Sequence, residues 1–420
     1  MLIRFEVSNF RSIHEPVELS MVAVDATRDE ATEIPNLGES LLHVAAIFGP
    51  NASGKSNIIA AFNWLRDAVQ FSLRSWDDGI PVEPFAFAGG GLEPSEFTIE
   101  SVIDGVRFEY LVELHRHAVA YEALFHYPEK KRRRIFERTG TDLKLQRGLG
   151  NLSGTRELLT PRTLALSAAR RFDEPLVSDF ANDLLRAHSL GLKTHDRRWL
   201  PGERRLTTVL FEQGVDGQEF LFEVEEAGGS SLPDRAQALA LLRLADLGID
   251  DVIVDDHDPS AGTGRGRRLR LTHRTADGSV PLDFAAESEG TRTWFRLIGP
   301  VLAALKDGSV LLIDELDASL HPTLSGELIR LFQDRATNPR HAQLIFTSHD
   351  TSLLNHLNRD EVWLTEKAES GASRLGALAE FAGERVRTSV NLEKAYLHGR
   401  FGALPDTDRT DLLRMLGLIG

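Results

Sequence analysis

Between Phe97 and Leu114 apolar and polar residues alternate on both sides of Asp104-Gly105, the pattern of a half-buried hairpin with a tight glycine turn. Ala118 to Tyr127 and Arg134 to Arg138 carry the strand pattern further, and Leu2 to Val7 at the start of the chain is strand-like. Antiparallel sheet is expected there. Three other runs, His43 to Phe48, Val310 to Ile313 and Gln343 to Thr347, are too continuously apolar for a sheet with one wet face and read as buried strands. Helical periodicity covers Ser56 to about Leu73, about Thr163 to Leu190, Asp234 to Leu247 with Gly248 as its stop, and a stretch running through Leu305. Val252 to Val254 and Leu269 to His273 read as strands that return the chain to the core. There are no sustained heptads, so a long coiled-coil arm is excluded and a short helical one is what the length permits. The order of elements predicts an α/β chain.

Composition narrows the classes. With 420 residues and 42% hydrophobic content the chain can build a large core, or two lobes sharing one. Its 48 basic and 63 acidic residues leave a net charge of −15, which excludes a uniformly basic nucleic-acid binder but not a local basic groove. Two clusters qualify, Lys130-Lys131-Arg132-Arg133-Arg134 and Arg265-Gly266-Arg267-Arg268 with Arg270. Each is either a solvated hairpin tip or a contact to phosphate backbone, and without interleaved aromatics duplex DNA is favoured over single strands. The absence of cysteine removes disulfides, thiolate metal sites and a cysteine nucleophile, and suits a reducing cytoplasm. No leader is expected ahead of the opening strand, and no apolar run is long enough to span a bilayer.

Chemistry concentrates in a few short segments. Gly49-Pro50-Asn51-Ala52-Ser53-Gly54-Lys55-Ser56 is G-x-x-x-x-G-K-S, between a predicted buried strand and a predicted helix. Its glycines let backbone N–H groups converge on phosphate, Lys55 reaches the β- and γ-phosphates of a nucleoside triphosphate, and the Ser56 hydroxyl ligates Mg²⁺. Gly49, Asn51, Ser53, Gly54, Lys55, Ser56 and Asn57 are the expected nucleotide contacts. The run Val310 to Ile313 ends in Asp314-Glu315. Alone this is weak, since buried strands commonly end in a carboxylate. Beside a phosphate loop, Asp314 is placed to hold Mg²⁺ and Glu315 to polarise the attacking water. Leu316-Asp317-Ala318-Ser319-Leu320-His321-Pro322 follows, and the strand to Thr347 ends in Ser348-His349-Asp350.

In this order and spacing His349 looks like a switch histidine contacting the γ-phosphate, and Glu287-Ser288-Glu289-Gly290-Thr291 resembles the signature loop of ATP-binding cassette (ABC) ATPases. That resemblance implies that Ser288 and Gly290 cap ATP held by a second subunit, in a head-to-tail homodimer with Asp317 and His349 assisting Glu315 across the interface. Lys55 and Ser288 lie 233 residues apart, too far for a compact transporter subunit. Asn9-Phe10-Arg11-Ser12 resembles the opening of the SMC, RecF and RecN branch, which implies that Arg11 lies near the nucleotide. The fold implied is an ABC-ATPase head, with 1–160 holding the phosphate loop and an antiparallel β lobe, 161–265 a mainly helical insertion or arm, and 266–420 the remaining motifs.

Asp314 to Pro322 and the tail Asn391 to Pro405 look like stand-alone bacterial phage-defence ATPases of the abortive-infection, AbiL type, which act beside a separately encoded, nuclease-like effector. The 71 residues beyond His349 are too few for a TOPRIM nuclease domain, and Asp406 and Asp408 follow Pro405 in a polar loop rather than ending an apolar strand. Nuclease chemistry in this chain is therefore not expected. The alternative role is an ATP-gated DNA clamp in repair or chromosome maintenance. Two departures from the family pattern stand out. Glu287 and Glu289 replace a leucine and a glycine, placing carboxylates near a triphosphate unless they point away or meet a cation. The Mg²⁺-sensing glutamine has no clear position either, since Gln70 falls inside the first helix.

Overall fold

A computed structural model describes residues 1–25, 28, 30–87, 89–192, 206–212, 234–246, 248–256, 267–276, 278–381 and 392–398. Two large sheets dominate them, each with its own kind of strand sequence. The predicted alternating strands form a seven-stranded antiparallel sheet: β1 (Leu2–Ser8), β2 (Val17–Ser20), β6 (Ser95–Ile103), β7 (Val106–Leu114), β8 (Val119–Tyr127), β9 (Arg133–Thr139) and β10 (Asp142–Leu145), in the order β10-β9-β8-β7-β6-β1-β2. Asp104 and Gly105 both take positive φ, 49° and 76°, as a two-residue hairpin turn between right-twisted strands requires. A small hairpin, β3 (Ala31–Ile34) with β4 (Glu39–Leu42), stands beside this sheet.

The continuous apolar runs become the second, six-stranded sheet, in the order β11-β15-β16-β5-β17-β18. Its strands are β5 (Val44–Phe48), β11 (His188–Leu190), β15 (Val310–Ile313), β16 (Gln343–Thr347), β17 (Val362–Lys367) and β18 (Ser373–Ala377). All pairs are parallel except β17 with β18. Every residue of β5 and β16 is buried, as a parallel sheet covered on both faces demands. The helix α1 (Lys55–Ser75) packs between the two sheets' apolar faces, Phe62 lying 5.2 Å from Phe5 of β1 ring to ring. A parallel sheet carrying the phosphate loop is thus joined to an antiparallel lobe in an α/β fold, as expected.

The stretch 161–265 departs from the expected arm. Short helices Ala165–Ala169 and Pro175–Leu185 pack on α1, and the chain then enters the central sheet as β11, where a continuous helical pattern was predicted. Helix Arg235–Ala245 is capped by the Asp234 side chain and packs on the long helix Glu289–Asp307. It stops at Asp246 in extended backbone, ahead of Gly248. The predicted strands at 252–254 and 269–273 belong to β12 (Ile249–Asp256) and β13 (Arg267–Thr275), which with β14 (Gly278–Asp283) make a separate three-stranded antiparallel sheet that reaches the core through Ile249, Val252 and Leu271 without joining the central sheet. Residues 193–205, 213–233 and 257–266 of this stretch, including Arg265 and Gly266 of the second basic cluster, lie outside the described residues. So do most of the tail from 391 to 405 and both Asp406 and Asp408.

A buried ionic knot ties the β lobe to these helices. Glu122 and Arg138 are both fully buried, 3.6 Å apart. Glu122 accepts from Tyr110 Oη at 2.8 Å and from the Ala165 and Leu166 amides, capping the helix that follows, while Arg138 donates to the carbonyls of Gly140, Thr160 and Thr163. Burial pushes the carboxyl up and the guanidinium down, each partly offset by the other's charge. Removing one partner strands a charge in a dry interior, so Arg138→Met is expected to destabilise the protein by about 3–5 kcal/mol. Chemical unfolding followed by tryptophan fluorescence measures this, and an unchanged midpoint would rule out a stabilising role for the knot.

Candidate functional site

The phosphate loop leaves β5 at Phe48 and enters α1 at Lys55. Its glycines are dictated by packing as well as by backbone. Gly49 and Gly54 sit at φ 152° and 103°, and a Cβ at Gly49 would overlap Thr365 while one at Gly54 would overlap Ser373 and Ser12. The loop thus lies against β17 and β18. Ser53 Oγ bonds Thr365 Oγ1 at 2.5 Å, and Asn57 Nδ2 donates to Ser12 Oγ, which in turn bonds Ser373 Oγ at 2.7 Å. Ser53 is therefore buried behind the loop, holding its shape. Asn51 and Ser56 are accessible at the loop and the start of α1.

Lys55 is buried and folds back on its own loop, donating from Nζ to Gly49 O at 2.8 Å and Pro50 O at 3.0 Å. Burial lowers its pKa, and the negative charges of Asp314, Asp317 and Glu315 act on it in the opposite sense. Asp314 leaves β15 with its amide bonded to Leu190 O of β11, at 2.9 Å. Glu315 follows in left-handed backbone, φ 56°, an unfavourable conformation for a residue with a Cβ. Thr347, fully buried at the end of β16, holds both acids: its Oγ1 donates to Asp314 Oδ1 and accepts from the Glu315 amide, each at 2.7 Å. The His349 amide donates to Asp317 Oδ1 at 3.1 Å, joining the segment after β16 to the segment after the acids. A serine hydroxyl and one carboxylate, Ser56 and Asp314, are the hard oxygen donors that suit Mg²⁺ shared with phosphate oxygens.

Ser288 caps the helix Glu289–Asp307, its Oγ accepting from the Thr291 amide at 3.1 Å, with Glu289 in the exposed first turn. Gly290 sits against Ser319 O, where a Cβ would be 3.0 Å away. Among the described residues no hydrogen bond or ion pair joins Ser288 or Gly290 to residues 49–56. Glu287 does not face solvent beside the loop; it is buried and meets His273 Nε2 at 2.7 Å. Arg11 is turned to Glu83, with bonds of 3.1 and 3.2 Å to its carboxylate, and among the described residues no hydrogen bond or ion pair links it to the phosphate loop. Asn9 and Ser12 of the same segment do the local work, Asn9 holding the 85–94 loop through Phe85 N, Gly90 O and Glu93 O. Gln70 lies within α1, as the sequence implies.

The first basic cluster is largely neutralised. Arg132 pairs with Glu109 at 3.0 Å and lies over the Phe125 ring, Arg133 is 3.8 Å from Glu129 and Arg134 is 2.8 Å from Glu137. In the second, Arg268 pairs with Asp283 and Arg270 with Asp255. Thr347, Thr365, Ser373 and His273 carry no motif. Only the position of Thr347 at the end of an apolar run, level with the acids' strand, was available as a signal.

A family model described as "AAA domain, putative AbiEii toxin, Type IV TA system" matches residues 44–355. Comparison with curated proteins finds no match. Among solved structures the chain is similar to an SMC head bound to the C-winged helix domain of ScpA, at 14% identity over 94% of this chain and 99% of that one, TM-score 0.44. It is also similar to the SMC head domain from Thermotoga maritima, at 14% identity over 90% and 98%, TM-score 0.41. A third is an SMC head with an extended coiled coil bound to a ScpA domain derived from Pyrococcus furiosus, at 14% identity over 90% and 97%, TM-score 0.42.

Because one hydroxyl positions both acids, Thr347→Val, close in shape but unable to donate or accept, is expected to leave nucleotide binding intact and lower turnover about tenfold, the loss of roughly one charge-assisted hydrogen bond. Fluorescent-nucleotide titration beside a phosphate-release assay separates the two effects. Wild-type turnover in the variant would show that the acids need no such support.

Proposed function

The chain belongs to the family of AAA domains described as putative AbiEii toxin, Type IV TA system, and on that premise we propose that it hydrolyses ATP between two head-to-tail copies and uses the cycle to regulate or deliver a separately encoded, nuclease-like effector in anti-phage defence. The observation that carries the reading is the shared sheet end at which β5, β15 and β16 deliver the phosphate loop, Asp314-Glu315 and Ser348-His349, with Thr347 bonded to both acids. In it, Lys55, the loop amides and Ser56 hold the triphosphate, Asp314 and Ser56 hold Mg²⁺, and Glu315 orients and deprotonates the attacking water. Mg²⁺ supplies neutralisation of charge on the transferred phosphoryl group. Ser288 and Gly290 cap the nucleotide of the other copy, a role favoured by the exposure of Ser288 at a helix N-terminus, with half-buried Gly290 in the first turn, and by the lack of any bond to their own loop among the described residues. Binding closes the dimer and hydrolysis opens it, a two-state element that a partner can read.

An effector on another chain fits the electrostatics. The protein is acidic, and its described arginine clusters are paired with carboxylates, so its own affinity for DNA is modest and steeply salt-dependent. The AbiL-like character of the tail supports the same role, though only residues 392–398 of it are described.

Glu315→Gln is expected to bind ATP, nearly abolish turnover and accumulate as a dimer on size-exclusion chromatography with ATP. A monomeric variant with normal turnover would refute both the base and the sandwich. Mixing Lys55→Ala chains with Ser288→Arg chains is expected to recover activity absent from each alone, because one composite site in the mixed dimer is then free of lesions.

For the biological role, the purified protein is expected to leave DNA and RNA intact with Mg²⁺ or Mn²⁺, and phage protection to require both Lys55 and the adjacent gene. Protection by this chain alone, or cleavage that depends on Asp406 or Asp408, would overturn the effector model.

A further inference from the structure

The three-stranded sheet β12–β14 has no part in the ATP site as described, yet it runs directly into the signature loop. β14 ends at Asp283, a single turn at Phe284–Ala286 follows, and the next residues are Glu287 and the helix cap Ser288. On β13, Leu271 and His273 lie two residues apart and so share a face. Leu271 is fully buried in the core cluster that contains Trp294 and Phe295 of the signature helix, and Ile249, opposite His273 on β12, is buried there too. His273 is thus a polar residue on the apolar face of the sheet. It meets Glu287, whose side chain is only 5% exposed, at 2.7 Å, and the Glu287 amide lies 3.3 Å from Phe284 O. The bond closes a loop of β14, the turn and Glu287 back onto β13, one residue from the serine expected to touch nucleotide. A glutamate is an expensive residue to bury unless its partner matters, and an apolar residue here would fill the space without tying the loop to the sheet.

The signature helix is held in the same way further along. Trp294 Nε1 donates to Leu241 O at 2.7 Å, fixing it to helix Arg235–Ala245, which itself packs on β12. Sheet, helix Arg235–Ala245 and signature helix therefore form one packed unit, and at its loop end the side-chain pair adds to the contact of the Phe284 ring with Phe295, 5.0 Å between centroids.

We propose that His273 and Glu287 are positioning residues, a latch that orients Ser288 and Gly290 so that the place of the β12–β14 sheet decides whether this chain can cap its partner's ATP. The inference rests on the composite-site reading above. It assigns to the three-stranded sheet the role of relay: a force or partner that shifts the sheet moves the cap without touching the phosphate loop.

The test compares His273→Ala, Glu287→Ala, the double variant and His273→Gln, each first shown by thermal melting to be folded. His273→Ala is expected to lower kcat about tenfold while single-chain binding of fluorescent ATP is unchanged, the size of one charge-assisted hydrogen bond. Glutamine keeps a donor near the position of Nε2 and is expected to restore most of the activity. The double variant is expected to be no worse than either single one, since both lose the same bond. Mixed with Lys55→Ala chains, His273→Ala is expected to regain activity as Ser288→Arg does, because the lesion lies in the cap and not in the loop. Normal kcat in His273→Ala, additive losses in the double variant, weakened ATP binding, or no regain where Ser288→Arg regains would each overturn the latch. If Ser288→Arg itself fails to complement, the composite site is wrong, and the single-chain kcat values and the double-variant comparison still judge the latch. Should His273→Ala fail to fold, His273→Gln and the isosteric Glu287→Gln carry the same comparison, with wild-type kcat in Glu287→Gln counting against the proposal.

Discussion

Parallel pairing of β15, β16 and β5 is the constraint from which the site follows. Ile313 lies opposite Phe346, and Phe346 opposite Ala46, so the strands end nearly level at one edge of the sheet. Everything that emerges there, Asp314-Glu315 from one strand, Ser348-His349 from the next and the phosphate loop from the third, is brought together by backbone hydrogen bonds before any site side chain acts. Parallel strands also require crossover connections, which is why residues that meet at this edge are separated by long stretches of chain. The edge does the gathering; Thr347 and the loop's own packing do the fine placement.

Behind the phosphate loop lies a layer of hydroxyl groups that contributes no charge. Ser12, Ser53, Thr365 and Ser373 bond one another or Asn57 across separations of up to 361 residues. They hold the loop from the side away from its opening, with glycine at the points of closest approach. The N-terminal segment contributes Ser12 to this backing, while its Asn9 holds the 85–94 loop and its arginine is spent on Glu83.

What could be read from the sequence was what is local. The phosphate loop, the acid-tipped strand, the Asp104-Gly105 hairpin and the helix capped by Ser288 are each encoded within a few consecutive residues, and each lies where its pattern says. The helical reading of 163–190 missed β11 because three residues, His188-Ser189-Leu190, are too few to show a period of two, and their strand conformation comes from β15. Strands β12 and β13 were visible as strands, but no local signal says which sheet a strand joins. Arg11, by contrast, was assigned by family likeness, and Glu83, distant in sequence, holds its side chain. Glu287 looked like a charge set against phosphate because its partner, His273, sits across a hairpin and a turn that had not been placed.

Lys55 has consequences for which ligands can open the loop. Its ammonium is out of water and already satisfied by two carbonyl oxygens of the segment it serves. An incoming molecule must displace those neutral acceptors, and only a group carrying full negative charge offers the buried cation a better partner. A base or a ribose contributes nothing to that exchange. Selectivity at this point is therefore for density of charge at the end of the ligand.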